Sequence, residues 1–387
     1  MRFNPFNPQQ PAKPTFFVGR TEEVKTFTNF LGQTINNSPM NISITGDRGM
    51  GKTSILNKFE EIAIDNNCLV VKISNYEGNV KNVVEFSDFL ISNIQTELLS
   101  KDVISKNVEN LRKFVNSLKP EISYQNFSLS IEKKQVIQEF LRERLSSIWE
   151  NVKENYKAIV ILIDEAESLE KIDALIFLRE VFQRVEAHSN YMIVLAGKLN
   201  FPEKMSESFS PLNRFFPALR LKKLKKEDVD IYLQNRLKQA NTQIDYSAIN
   251  SIYNKSEGHP YVLVCFGFLI FDSLNESEAK INKEIVGRCM EKIRRRLSED
   301  YFTPMFYPIR PRAKSILCKI ANNIDGLDFT FAQALKITGL KKGSQLSPYM
   351  LEFRNQGIII QYQRGAYKLF HNLFKEYLIA NSGKYIN

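Results

Sequence analysis

The sequence predicts an α/β fold: a doubly wound parallel sheet, followed by a helical lid domain and a winged helix-turn-helix domain. Short apolar runs alternate with amphipathic helical segments through the first part of the chain, which is typical of a doubly wound sheet. A purely helical stretch follows. The last part has three helical segments and then two β-branched and aromatic runs joined by a turn, the order of a winged helix-turn-helix. We therefore expect three domains, at residues 1–225, 226–300 and 301–387.

Each strand of the predicted sheet is a short, mostly apolar run, as parallel strands covered on both faces should be. The helices between the strands carry apolar residues at intervals of three and four. Strands are predicted at residues 40–45, 68–74, 158–163, 191–196 and 218–221. Helices are predicted at residues 22–32, 51–64, 84–99, 108–118, 136–152 and 172–187.

The second half of the chain is predicted to be helical before it reaches the winged domain. Residues 226–298 are expected to be wholly helical, and residues 301–311, which contain three prolines, to be a linker. Ser347 and Pro348 are expected to begin the third helix of the winged domain, because serine is favoured as N-cap and proline at the first helical position. Gly357 would end that helix. The other predicted elements are helices at 312–322, 331–337 and 372–380, and hairpin strands at 358–363 and 366–370.

Composition and hydropathy exclude several classes of protein. Hydrophobic residues make up 43% and charged residues 25% of the 387 residues, which is ordinary for a soluble globular protein. No apolar run approaches the roughly 20 residues that span a bilayer, and the proline-spaced start lacks the apolar core of a secretory signal. The four cysteines lie far apart, without metal or redox spacing. We therefore expect a cytoplasmic protein with buried thiols and no membrane partner.

The net charge of +10 is unevenly distributed along the chain. Residues 211–226 contain six lysines and arginines and no acid, and residues 311–387 contain 11 lysines and arginines against four acids. Such asymmetry indicates an anionic partner near the C-terminal half. The alternative is that these cations only keep the surface soluble.

Residues 46–53, Gly-Asp-Arg-Gly-Met-Gly-Lys-Thr, match the pattern G-x-x-x-x-G-K-[ST] at every position. The glycines permit a tight loop whose N–H groups face phosphates, and the helix that follows presents its N-terminus to the same anion. Lys52 would neutralise the β- and γ-phosphates, and the Thr53 hydroxyl would complete the Mg²⁺ shell. Because a buried strand precedes the motif and a helix follows it, the context also fits a P-loop. The motif predicts binding of ATP with Mg²⁺.

Two acids follow the predicted strand at residues 158–163. The strand delivers Asp164 to the carboxyl edge of the sheet, where ligands bind in such folds. Asp164 can hold the water shell of Mg²⁺, and Glu165 can orient or deprotonate the attacking water. Glu167 lies nearby and is interpreted as an acid at the start of a helix.

The P-loop, the Asp-Glu strand and a Phe-Val-Gly-Arg segment ending at Arg20 resemble the AAA+ ATPases and the related STAND ATPases. In these families a hydrophobic-hydrophobic-Gly-Arg element lies beside the adenine. The resemblance implies slow, switch-like ATP hydrolysis and a base pocket lined by Phe17, Val18 and Gly19; Arg20 can also be a surface residue before a helix. The residues expected to bind the nucleotide are Phe17, Val18, Gly19, Gly46, Asp47, Arg48, Gly49, Met50, Gly51, Lys52, Thr53, Ser54 and Pro260.

The same resemblance implies three further roles. Lys198 follows the strand at 191–196, where these families carry a γ-phosphate sensor, and Asn200 is a second candidate. Arg214 resembles an arginine finger that reaches across the interface of a homo-oligomer; alternatively, it is one more cation of the basic segment. Pro260 ends a Gly-His-Pro run that resembles the Gly-x-Pro element near the adenine. Because no arginine follows it in that helix, the chain is closer to STAND-like and archaeal-type ATPases than to replication initiators.

Polar and basic side chains surround the third helix of the predicted winged domain. In a DNA-binding version of this domain, the first side chains of that helix reach base edges, and cations of the helix and wing hold phosphates. In STAND proteins the winged domain often folds back on the ATPase core as an internal clamp. The positive surplus favours double-stranded DNA as the partner. The residues expected to contact DNA are Lys341, Lys342, Ser344, Gln345, Arg354 and Arg364.

Two function hypotheses follow from these features. In the first, the chain is an ATP-switched DNA-binding protein, similar in plan to replication initiators and to transposition or segregation ATPases. In the second, it is a signalling or defence ATPase whose winged domain regulates its own nucleotide state and whose partner is a protein. A scaffold that does not hydrolyse ATP is disfavoured by Glu165.

Overall fold

The computed structural model describes residues 3–75, 80–100, 131–185, 189–275 and 278–386. The chain divides into two compact units. The sheet unit comprises Ala12–Gly46 and Lys52–Leu221, and the C-terminal unit comprises Met1–Pro11, Asp47–Gly51 and Lys222–Asn387. The division into domains at 1–225, 226–300 and 301–387 stays a prediction.

The sheet unit alternates strands with helices. Its elements are α1 (Thr21–Ile35), β1 (Ile42–Thr45), α2 (Lys52–Asp65), β2 (Leu69–Ser74), α3 (Val83–Ser100), α4 (Ile131–Val152), β3 (Ile159–Asp164), α5 (Glu167–Glu170), α6 (Ala174–Val185), β4 (Tyr191–Gly197), α7 (Phe201–Phe209), α8 (Leu212–Phe215) and β5 (Ala218–Arg220). The five strands pair in the order β2-β3-β4-β1-β5, and every pair is parallel. The parallel sheet with its helices confirms the predicted α/β fold.

The core of this unit lies along the central strands. Residues 159–163 of β3 are at most 1% exposed, and every residue of β4 is buried. Because these strands are buried on both faces, they are continuous aliphatic runs. Burying each such side chain stabilises the folded state by about 1.5–3 kcal/mol. Helix α6 buries Phe177, Leu178, Val181 and Phe182, at helical spacing, and packs against α4.

The predicted helix at 172–187 corresponds to α6, which begins at Ala174 and is described as far as Val185. A separate short helix outside the predicted ranges, α5, precedes it and ends at Glu170. Asp173 has a φ of 56°, and a left-handed residue cannot continue a right-handed helix. The predicted helix at 108–118 lies outside the described residues.

The C-terminal unit is mainly helical. Its elements are α9 (Lys226–Lys238), β6 (Gln243–Ile244), α10 (Tyr246–Ser256), α11 (Pro260–Asp272), β7 (Lys280–Ile281), α12 (Lys283–Leu297), α13 (Thr303–Phe306), α14 (Pro311–Asn322), β8 (Asp328–Thr330), α15 (Phe331–Thr338), α16 (Gly343–Asn355), β9 (Ile359–Gln363), β10 (Ala366–Leu369) and α17 (Asn372–Asn381). The prediction of a wholly helical stretch from 226 to 298 is wrong at β6 and β7, which pair in parallel. Two-residue strands have no period that a sequence pattern can reveal.

The predicted linker at 301–311 is largely helical. A π-helical turn at Ser298–Phe302 joins α12 to α13, and Tyr301 and Phe302 are 3% and 1% exposed. Proline interrupts helices in their interior but is tolerated in the first turn, which is where α13 and α14 carry theirs. The proline spacing was therefore compatible with short helices as well as with a linker.

The last elements of the chain follow the order predicted for a winged helix-turn-helix. Three helices, α14 to α16, precede the hairpin β9-β10, and β8 adds a third antiparallel strand in the order β8-β10-β9. The predicted start of α16 at Pro348 is wrong, since the helix begins at Gly343. Lys342 is its N-cap, whose N–H donates to the Gln345 side chain at 3.3 Å, and Pro348 lies inside the helix.

The first residues of the chain pack within the C-terminal unit. The Asn4 amide donates to the carbonyl of Phe268 at 3.0 Å. Phe6 is 2% exposed, and its ring lies against Gly267, where a Cβ atom would come within 2.5 Å of it. The four cysteines are free and buried, as predicted. Among the described residues, no helix has the length and apolar character needed to cross a membrane.

Candidate nucleotide site and nucleic-acid interface

The loop at residues 46–53 joins β1 to α2. Gly49 and Gly51 have φ angles of 74° and 87°, which side chains other than glycine rarely adopt. At Gly49 a Cβ atom would also lie 2.8 Å from the Cβ of Tyr261 and 2.9 Å from the His259 ring. Both glycine conformations suit a tight loop that surrounds an anion.

Within the sheet unit, the end of this loop is bonded to the sheet and to itself. The Thr53 hydroxyl donates to Asp164 Oδ2 at 2.5 Å, and Lys52 Nζ donates to the carbonyl of Gly46 at 2.9 Å. The Ser54 hydroxyl accepts the N–H of Ala12 at 3.0 Å. A hydroxyl and a carboxylate in contact are oxygen ligands of the kind that Mg²⁺ prefers. The residues present therefore fit a bound Mg²⁺-nucleotide.

Glu165 lies at the carboxyl end of β3, where the backbone turns sharply. Its φ is 55°, and its N–H donates to Asp164 Oδ1 at 2.9 Å. Partial burial raises the pKa of the Glu165 carboxyl, and the neighbouring Asp164 and Glu167 raise it further, against the opposing effect of Lys198 and Lys52. A carboxylate whose pKa is raised is a better proton acceptor near neutral pH.

Asn75 is a residue near this acid pair that the sequence analysis missed. It follows β2 directly, is 2% exposed, and its N–H donates to the carbonyl of Asp164 at 3.1 Å. Its amide donates to the Ser168 hydroxyl at 2.5 Å, and that hydroxyl lies 3.1 Å from the carbonyl of Glu165. The available signal was a polar residue at the end of an apolar strand, the pattern that identified Asp164.

The two sensor candidates lie just beyond β4, and Lys198 forms an ion pair. Lys198 Nζ lies 3.5 Å from Glu167 Oε1, with the lysine side chain 62% exposed. Because β4 pairs with β3, this cation follows the strand next to the one that carries Asp164. Asn200 is the N-cap of α7.

The remaining predicted nucleotide residues of the sheet unit lie before α1 and on α8. Phe17, Val18 and Gly19 are half-buried. Arg20 directly precedes α1, has a φ of 62° and pairs with Glu23 at 3.7 Å; its side chain is only 6% exposed, so it is not the surface residue of the alternative interpretation. Arg214 in α8 is exposed.

Within the C-terminal unit, the middle of the P-loop is held by two tyrosines. The Tyr301 hydroxyl donates to the carbonyl of Arg48 at 2.6 Å, and the N–H of Tyr261 donates to the carbonyl of Gly49 at 3.2 Å. His259 Nε2 lies 3.4 Å from the same hydroxyl. Pro260, predicted near the adenine, is the first residue of α11 and stands between His259 and Tyr261.

A second buried histidine, His371, follows the hairpin β9-β10 and lies near His259. His371 Nε2 lies 3.0 Å from the carbonyl of Ser256, and its ring is 6.0 Å from that of His259. Glu257 pairs with Lys223 and accepts the N–H of Asn372 at 2.7 Å. Burial lowers the pKa of both histidines, so both are neutral near pH 7.

The predicted DNA-contacting residues lie around α16 and in the turn between β9 and β10. Lys341, Lys342, Ser344, Gln345 and Arg364 are exposed, and Arg354 is half-buried. The Gln345 amide oxygen accepts the N–H groups of Lys341 at 3.1 Å and Lys342 at 3.3 Å. This oxygen therefore caps the helix, and only the NH₂ end of the amide can point towards a base edge.

The parallel sheet, the glycine-rich loop after β1 and the acid pair after β3 form the arrangement found in P-loop ATPases. Residues 17–195 match the family model described as AAA ATPase domain. This match confirms the resemblance to the AAA+ ATPases. An uncharacterized HTH-type transcriptional regulator of Methanocaldococcus jannaschii is 23% identical over 311 residues, which cover 76% of this chain and 73% of that protein.

Two solved structures are similar to the chain over almost its whole length. The Walker-type ATPase of Pyrococcus abyssi has a TM-score of 0.64 at 15% identity and covers 97% of this chain and 99% of its own. The ORC2 protein of Aeropyrum pernix, in its ADPNP-ADP complexes, has a TM-score of 0.62 at 12% identity and covers 97% of this chain and 96% of its own. At such low identity the likeness is one of fold.

Proposed function

We propose that this chain is a slow, ATP-hydrolysing molecular switch of the AAA+/STAND type, cytoplasmic, whose winged helix binds double-stranded DNA. The observation that carries the enzymatic half is the contact between the Thr53 hydroxyl and Asp164 Oδ2, 2.5 Å apart. This contact places the hydroxyl of a P-loop residue beside the acid at the end of β3, as is required if both residues bind the same metal ion.

Each residue of the site has a distinct role in this proposal. Mg²⁺ would polarise the phosphates and neutralise the charge that develops on them. Thr53 and Asp164 hold the ion, and Lys52 pairs with the phosphates. Glu165 accepts the proton of the attacking water, for which its raised pKa suits it. Lys198 would release Glu167 and respond to the γ-phosphate.

Arg214 is proposed to act on the nucleotide of a neighbouring copy of the chain. Its exposure on α8 leaves it accessible to a second subunit. We expect Arg214→Ala to lower the rate of ATP hydrolysis by about 10³–10⁵, the range of arginine fingers. Phosphate release measured over a dilution series should also show that the parent loses activity per molecule as its subunits separate.

A matched variant distinguishes the finger from a general effect of charge. Arg220→Ala removes an exposed cation of β5 and should keep the parental rate. An Arg214→Ala variant of parental activity, together with activity per molecule that stays constant on dilution, excludes the proposed finger.

The DNA half of the proposal is supported by the cations around α16. Lys341, Lys342 and Arg364 are exposed on a domain with the element order of a winged helix-turn-helix. Exposed lysines before the third helix and an arginine at the wing tip are the groups that hold phosphates in such domains. A relative described as an HTH-type transcriptional regulator further supports a DNA partner.

We expect DNA affinity to depend steeply on salt. Phosphate contacts by Lys341, Lys342, Arg354 and Arg364 imply a slope of log affinity against log salt near −4, at about −0.9 for each contact. Replacing Lys341 and Lys342 by alanine should reduce the slope by about two and weaken binding similarly on all sequences. Fluorescence anisotropy with duplex DNA at several salt concentrations, with and without ATP, measures both quantities.

The double variant Lys280→Ala/Lys283→Ala is the control. It removes the same two charges from exposed positions at β7 and the start of α12, and should leave the slope unchanged. A protein without salt-sensitive DNA affinity in either nucleotide state would overturn the DNA proposal.

The second candidate function is a signalling or defence ATPase with a protein partner, in which the winged domain is an internal clamp. The bonds from Tyr301 and Tyr261 to the carbonyls of Arg48 and Gly49 favour it, because they fix the middle of the P-loop within the C-terminal unit. An ATPase rate that rises when the C-terminal helix α17 is truncated, in a protein that does not bind DNA, would support this candidate.

A further inference from the structure

We propose that Tyr301 is a positioning residue of the ATP site, whose hydroxyl holds the P-loop in its phosphate-binding shape through the carbonyl of Arg48. This role rests on ATP binding by the loop, the function proposed above. The sequence offered no motif for it, since Tyr301 lies in the segment expected to be a linker.

Two consecutive carbonyls of the P-loop accept hydrogen bonds from residues outside the loop. The Tyr301 hydroxyl donates to the carbonyl of Arg48 at 2.6 Å, and the N–H of Tyr261 donates to the carbonyl of Gly49 at 3.2 Å. In a trans peptide the C=O and the N–H of the next residue point in opposite directions. The first bond therefore turns the N–H of Gly49 away from Tyr301, and backbone N–H groups are what a P-loop offers to phosphates.

The hydroxyl of Tyr301 is itself fixed in orientation. Burial raises the pKa of the phenol, so Tyr301 remains a donor, and its proton is committed to Arg48. Its oxygen can then only accept a hydrogen bond, and the donor is His259 Nε2 at 3.4 Å. Burial lowers the pKa of His259, which keeps the ring neutral with one N–H. Among the described residues its Nδ1 has no hydrogen-bond partner, so the single proton is placed on Nε2, which faces the Tyr301 oxygen.

The ring of Tyr301 is held separately from its hydroxyl. It lies 4.7 Å from the ring of Tyr261, 5.7 Å from Phe302 and 6.1 Å from Phe370, measured between centroids. Tyr301→Phe keeps these contacts and removes the hydroxyl, with its bond to the Arg48 carbonyl and its contact with His259 Nε2. The substitution therefore tests the hydroxyl apart from the packing of the ring.

We expect Tyr301→Phe to raise the KM for Mg²⁺-ATP about fivefold to tenfold, the effect of one lost hydrogen bond, with kcat unchanged. The dissociation constant for ATP, measured by calorimetry, should rise by the same factor. A purely structural role gives a different result, because loss of folded protein lowers the apparent kcat and leaves KM as it was.

Tyr377→Phe is the matched control. Tyr377 belongs to the same aromatic cluster, 5.7 Å from the ring of Phe302, and its hydroxyl lies 3.1 Å from that of Thr303 rather than near the P-loop. This variant should keep the parental KM. A Tyr301→Phe variant that binds ATP as tightly as the parent, or that loses only kcat, overturns the role of Tyr301. A parent that binds ATP no better than Lys52→Ala instead refutes the proposed ATP site itself.

Discussion

Replacing Lys52 with alanine is expected to abolish measurable ATP binding. The lysine is the cation at the start of α2, and its ammonium lies 2.9 Å from the carbonyl of Gly46, within the loop that would surround the phosphates. Removing one partner of a buried, hydrogen-bonded charge pair costs about 2–5 kcal/mol, a loss of affinity of roughly 30-fold to several thousandfold. Calorimetry or equilibrium binding of a fluorescent ATP analogue measures the effect.

A second lysine of the same helix provides the control for this substitution. Lys58 pairs with Glu61 on α2, so Lys58→Ala removes a cation from the helix without touching the loop. It should bind ATP like the parent, since an ion pair that water still reaches contributes little. Micromolar ATP binding by the Lys52→Ala variant would contradict the assignment of residues 46–53 as a phosphate-binding loop.

Glu165→Gln should bind ATP and fail to hydrolyse it. Glutamine keeps the shape of the side chain but cannot accept the proton of the attacking water, and general bases contribute about 10²–10⁴ to rates. Asp164 and Thr53 are unchanged, so the metal site and the ATP affinity should persist. Single-turnover hydrolysis and ATP binding, measured on the same preparation, separate the two effects.

The pH dependence of hydrolysis gives an independent check on Glu165. Its carboxyl must be ionised to act as a base, and its pKa is raised by burial and by neighbouring acids. Hydrolysis should therefore decline as pH falls through this raised pKa, at a higher pH than an ordinary glutamate would show. Glu170→Gln, which removes a charge from α5, should leave the rate and the profile unchanged; a Glu165→Gln variant with the parental rate would assign the base elsewhere.

The parts of this protein that its sequence determined are those written in local patterns. The P-loop could be predicted because its glycines, lysine and threonine lie within eight residues of one another at a fixed spacing, from which their chemistry follows. The strands β1 to β4 could be predicted because a strand buried on both faces must be apolar. Asp164 and Glu165 followed from the end of such a strand.

Only the tertiary structure decided which residues distant in the chain meet. The order β2-β3-β4-β1-β5 brings Asp164 to Thr53, and neither residue type nor spacing specifies that order. The same holds for Asn75 beside Ser168. The cap that the Gln345 side chain forms at the start of α16 competed with a stronger local signal at Pro348 and prevailed.

Tyr301 shows most directly why contacts between distant residues could not be predicted from the sequence. Its segment contains three closely spaced prolines, and local preference alone indicated a linker. The burial of its ring among aromatic residues and the bond from its hydroxyl to Arg48 join positions 253 residues apart. Such contacts gain their stability from the surface buried after folding and leave no period in the sequence, so the structure alone could place this tyrosine at the P-loop.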